Sequence, residues 1–142
     1  MGEVKTEITL VNIREKGIAD GGYMPHDQVG QVTVNAVVDA DLRSDGAWTL
    51  VINEATRQKL GLRVEGPSES TVVGGGKISS QVTEYVEVRW RDRKTPCEAV
   101  VVPDEKDVLL GALPLEGLDL MIHPKTQEVI GAHGDQRYNV IR

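Results

Sequence analysis

The sequence predicts a mostly-β fold, a small closed barrel with one short helix, as a single domain over residues 1–142. Three observations lead there. Apolar and polar residues alternate with a period of two along much of the chain, the pattern of strands that bury one face. Aromatics make up only 4%, with no Phe, so the core must come from Val, Leu and Ile, which favour strands. Fifteen glycines interrupt these runs, as a turn-rich β-protein requires.

Residues 4–13 alternate and read as the first strand. Residues 15–30 are polar and contain Gly21, Gly22 and Pro25, which predicts a long surface connection. In residues 31–39, Val32, Val34, Ala36 and Val38 share one face, opposite Thr33 and Asn35. Val37 adds to the apolar set near the end, and the strand finishes on a carboxylate, Asp39. Residues 48–52 form a short, continuous apolar strand.

Asn53 suits a helix N-cap, with Glu54 in the first turn, Arg57 and Lys59 toward the end, and Gly61 as a left-handed C-cap. A helix over residues 54–60 follows. Gly66 and Pro67 start a turn, and residues 70–73 and 77–91 are strands joined by Gly74, Gly75 and Gly76. In the longer strand Val82, Glu84, Val86, Val88 and Trp90 alternate against Thr83, Tyr85, Glu87 and Arg89. The three glycines suit a mobile hairpin tip or a close approach of backbone to a ligand. Residues 96–103 and 107–111 are further strands, and 112–116 form a helical turn. Residues 118–123 and 127–131 make a hairpin across Pro124, Lys125 and Thr126, and residues 135–142 add a terminal strand.

A formal charge of −6 disfavours nucleic acid as a partner, because phosphate contact needs a basic surface. The basic cluster at Arg89, Arg91, Arg93 and Lys94 reads as solvated charge at a hairpin turn. The single cysteine, Cys97, excludes an internal disulfide and fits a reducing cytoplasm. Its place in a strand assigns it to packing. No signal-like run opens the chain, and no window reaches the roughly 18 apolar residues that span a bilayer. A soluble, cytoplasmic protein with no membrane partner is expected.

His26, His123 and His133 lack metal-ligand spacing to one another or to Cys97. Asp39, Asp41 and Asp45 supply hard oxygens but miss the regular calcium-loop pattern. Neither a metal nor a cofactor is expected. Asp39 itself has two readings. One is a strand-end residue that starts a turn. The other is an acid that meets a second acid, shares a proton with it, and so works as base and acid together.

The order of elements resembles a retropepsin-like (retroviral-type) aspartic protease of the bacterial kind, from about residue 6 to residue 134. Four pieces carry the resemblance: Val37, Val38 and Asp39; the run from Gly46 to Ile52; Lys59 to Leu62; and Val108 to Gly111. The resemblance implies that Asp39 is the catalytic acid, with Gly46 and Ala47 the third and fourth members of the Asp-Thr/Ser-Gly-Ala motif. Gly74, Gly75 and Gly76 would lie in a flap over a peptide substrate, and Leu109, Leu110 and Gly111 would brace the active-site loop from within. It also implies an endopeptidase without a cofactor. Since the motif occurs once, two chains must each supply an acid, which makes a homodimer.

The chain departs from the pattern at one place. Residues 40–45 stand where the family has one Thr or Ser, whose hydroxyl locks the two active-site loops together. Ser44 is the replacement for that hydroxyl if Asp39 is the acid. A second register puts Ser44 in the acid's place and Asp45 in the hydroxyl's, which implies an inactive protein. A third makes Asp45 the acid. Asp39 ranks first, because Val37 and Val38 precede it as the motif requires. The alternative function is a catalytically inactive peptide-binding or dimerisation module of the same fold, and a small-ligand barrel without a dyad ranks third.

Overall fold

Strand β1 (Lys5–Asn12) pairs antiparallel with β2 (Gln31–Val38) on one side and with β5 (Lys77–Trp90) on the other. That double pairing closes a sheet into a barrel. The computed structural model describes residues 3–39, 48–71 and 77–135. Around the ring, β2 is followed by β7 (Leu109–Leu110), β3 (Leu50–Ile52), β6 (Arg93–Val101) and β5, which returns to β1. The β2–β7 and β3–β6 pairs are parallel; the other ring pairs are antiparallel. Strand β4 (Val64–Thr71) pairs with β5 outside the ring, and β8 (Leu120–Ile122) and β9 (Val129–Asp135) form a separate two-stranded sheet.

The core is aliphatic, as the composition requires. Ile8, Leu10, Leu50, Ile52, Val86, Val88 and Leu110 are fully buried within it. Strand β2 exposes Gln31, Thr33 and Asn35, half-buries Val32 and Val34, and becomes buried over Ala36, Val37 and Val38. Helix α2 (Glu54–Leu60) forms where its end signals place it. The Asn53 side chain accepts from the Thr56 N–H at 2.8 Å, and Gly61 closes the helix in the left-handed region at φ 67°. Helix α3 (Ala112–Gly117) is the helical turn anticipated after Gly111. Among the described residues no helix is long and apolar enough to cross a membrane.

Four expectations need correction. Residues 15–30 are not all loop, because α1 (Ile13–Asp20) occupies the first part and a 3-10 turn follows at His26–Gln28. Asn12 caps α1 by accepting from the Glu15 N–H at 3.0 Å, and only Ala19 is buried along the helix. Tertiary contacts hold it. Glu15 accepts from the Gly30 N–H at 2.8 Å, and Arg14 pairs with Glu84 at 3.0 Å.

Gly66 and Pro67 lie inside β4 and do not end it. Among the described residues this strand pairs with β5 alone, an edge position where a proline is tolerated, and the register shifts at Val64/Gly66. A second register shift, between Val82 and Tyr85, turns Thr83 inward, where it is fully buried, and breaks the simple alternation expected of β5. Finally, β6 begins at Arg93, ahead of Pro96. Pro96 faces β5 alone, since β3 joins β6 only from Ala99. The expected terminal strand at residues 135–142 falls almost wholly outside the described residues.

Candidate active site

Strand β2 delivers Asp39 to the barrel rim. Its last residues are pinned from both sides: the Val38 N–H donates to the Val4 carbonyl at 2.8 Å, and the Val37 N–H to Val108 at 2.9 Å. The Asp39 N–H continues the second series and donates to the Leu110 carbonyl at 2.9 Å. Asp39 is half-buried there.

The chain re-enters at Trp48, against the same support. The Leu113 N–H donates to the Trp48 carbonyl at 2.7 Å, and the Gly111 N–H to the Thr49 carbonyl at 3.0 Å. Leu50 then pairs with Leu110. The buried Thr49 hydroxyl donates to the Glu98 carbonyl at 2.9 Å, which ties the segment to β6 as well. Residues 110–113 therefore grip both ends of the segment that joins β2 to β3. This segment's interior, including Asp41, Ser44, Asp45, Gly46 and Ala47, lies outside the described residues, as do Gly74, Gly75 and Gly76.

The other reactive groups do not converge. His26 sits 3.0 Å from Asp20, and His133 2.7 Å from Asp119. His123 accepts from the backbone N–H groups of Lys125 and Thr126 in its own turn. No group of three metal-ligating side chains occurs among the described residues. Cys97 is buried, and desolvation pushes its thiol up to about 12, so it packs rather than reacts. The basic hairpin is largely engaged within the chain. Arg89 pairs with Glu87, Arg91 lies 4.3 Å over the Trp90 ring, and Arg93 donates to the carbonyls of Leu118, Asp119 and Gly134.

Two solved structures share this architecture. EIAV protease complexed with the inhibitor HBY-793 matches with a TM-score of 0.54 at 20% identity, over 81% of this chain and 86% of that one. The retroviral protease-like domain of Ddi1 from Leishmania major matches with a TM-score of 0.55 at 18% identity, over 99% of both chains. The chain has the retroviral-protease fold. No family model and no curated protein matches it.

Within the retroviral-protease fold one feature escaped the sequence reading. A groove of about 460 Å³ opens beside Trp48, between β5, β6 and α3. Its lining comes from Trp48, Tyr85, Pro96 and Leu113 among others, residues too far apart in the chain for any local pattern to join them. The available signal was an aromatic, Tyr85, on the outward face of a strand.

Proposed function

We propose that the protein is an aspartic endopeptidase of the bacterial retropepsin-like kind, in which two chains each contribute Asp39 to one catalytic pair. One carboxylate is ionised and takes a proton from a bound water as its oxygen attacks the peptide carbonyl carbon. The other is protonated, and the pair returns a proton to the departing amine. The reading requires no metal or organic cofactor. Ser44, Gly46 and Ala47 complete the loop, and the hairpin carrying Gly74, Gly75 and Gly76 covers an extended peptide by strand addition. A single unpaired cysteine supports a cytoplasmic setting.

The observation that carries this reading is the grip of residues 110–113 on Asp39 and Trp48. A loop fixed at both ends can be lengthened without moving the acid at its base. This favours Asp39 over Asp45. The second reading is an inactive peptide-binding or dimerisation module, and the length of residues 40–45 favours it, because catalytic geometry tolerates little misplacement.

The test is cleavage of an unbiased peptide library near about pH 5, where a shared-proton pair operates. Wild type, Asp39→Asn, Asp45→Asn and a variant with one Thr in place of residues 40–45 are compared. Activity lost in Asp39→Asn and kept in Asp45→Asn supports the first reading. The converse moves the acid to Asp45. Cleavage only by the shortened variant makes the natural protein an inactive module. A chain that stays monomeric at high concentration, by sedimentation, ends the two-chain pair.

A further inference from the structure

Seven large apolar or aromatic side chains are exposed among the described residues, and three of them, Trp48 at 65%, Tyr85 at 56% and Leu113 at 44%, line the same groove. Scattered exposed apolar groups are ordinary; a concentration in one concavity marks a place where something binds. The groove's charge says what kind of group that is. Glu98 and Glu116 stand on its wall, and no Lys, Arg or His is among the described residues that line it. Neither carboxylate has an ion-pair partner among the described residues, whereas Glu54, Glu84 and Glu87 each hold an arginine.

We infer that this groove binds a basic side chain, Arg or Lys, carried by a polypeptide. Two aromatic rings and two carboxylates suit a cation with an apolar stem, which lies along Leu113 and Pro96 while its head meets the acids. A second copy of this chain is the poorer occupant of this groove, since the two-chain pair proposed above meets at Asp39, which is not among the groove's lining residues. The inference deepens the proteolytic reading, on which it rests for its substrate. Trp48, on the groove's wall, and Asp39 are both held by residues 110–113, through Leu113 and Leu110, so the groove shares its support with the proposed acid.

The experiment reads binding, not cleavage, and uses the full chain carrying Asp39→Asn, so it can fail independently of the protease assignment. Fluorescein-labelled dodecapeptides differing at one central position (Arg, citrulline, norleucine or Glu) are titrated by anisotropy. The Arg peptide should bind about tenfold more tightly than the citrulline peptide, the scale of a partly desolvated cation–π contact with a carboxylate beside it. That preference should disappear in Glu98→Gln/Glu116→Gln, two exposed substitutions that leave the core untouched. Equal affinity for Arg and citrulline overturns the proposal, and so does a preference that survives the double substitution. N-acetyl-arginine amide binding as tightly as the peptide overturns the polypeptide assignment. A concentration-dependent dimer abolished by Trp48→Ser assigns the groove to a second copy and likewise overturns it.

Discussion

The Asp39 N–H donates to the Leu110 carbonyl, so the proposed acid is held by a strand of only two residues. That strand is paired on both flanks, with Val37 and Val38 on one side and Leu50 and Val51 on the other. Its rigidity comes from the neighbours, not from its length. Leu110 is fully buried, and its side chain belongs to the hydrophobic core. Leu110→Ala should cost about 2–5 kcal/mol of stability by leaving a cavity. Urea unfolding measures this, and the Asp39 amide should lose protection from hydrogen exchange along with it.

The contact between Gly30 and helix α2 should be equally sensitive. A Cβ at Gly30 would stand 2.1 Å from the Leu60 carbonyl oxygen, which is backbone and cannot swing aside. Gly30→Ala should therefore destabilise by about 1–3 kcal/mol, as overpacking does. Asn12→Ala should cost a similar amount, about 1–3 kcal/mol, through unsatisfied polar groups. Its amide donates to Leu60 at 2.8 Å and Gly61 at 3.2 Å, while its oxygen caps α1. Thermal melts of both variants test the joint.

Acid should weaken the first turn of α2. Hydrogen bonds from Arg57 and then Gln58 hold the Glu54 carboxyl down at about 2, from an ordinary 4.5. A carboxyl depressed on folding stabilises the folded state above its unfolded value. Its contribution then fades as pH falls from 4.5 through about 2. Melting temperatures of wild type and Glu54→Gln should differ modestly at neutral pH, since the site is exposed, and converge at the acid end of that window. A constant difference down to the lowest pH would contradict the assignment.

Arg93 should matter to one region only. Its guanidinium donates to Leu118 at 3.0 Å, Asp119 at 2.8 Å and Gly134 at 2.7 Å, and so fastens the β8–β9 pair to the barrel. A lone two-stranded sheet is marginal by itself. Arg93→Ala should accelerate hydrogen exchange in β8 and β9 well before β1 or β5 responds. Lys at this position lacks the fork that serves three carbonyls and should rescue little.

What could be seen in the sequence depended on how local its cause was. Asn53 and Gly61 announce α2 because both caps act within a few residues of themselves. The end of β2 was legible because Ala36, Val37 and Val38 make an apolar run that stops at a charge. Helix α1 was hidden, since its residues carry no apolar stripe and its supports, Glu84 and Gly30, come from elsewhere in the chain. The passage of β4 through Pro67 was hidden because edge position is a property of the finished sheet. Likewise Asp39 stood out as a strand-tip acid, but its anchor on Leu110 was suggested only by the family resemblance. The groove at Trp48, Tyr85 and Leu113 left one local sign, the outward-facing Tyr85, because its walls come from distant parts of the chain.

The ring order carries a consequence for synthesis. Strand β2 is made early, but β7, which it needs as a parallel neighbour, arrives only after five other elements have been translated. A nascent chain that has reached α2 already contains Asp39 and lacks any Leu110 to seat it. Such non-local pairing slows folding. It also ensures that no ribosome-bound fragment short of residue 110 can assemble the mounting on which the acid depends.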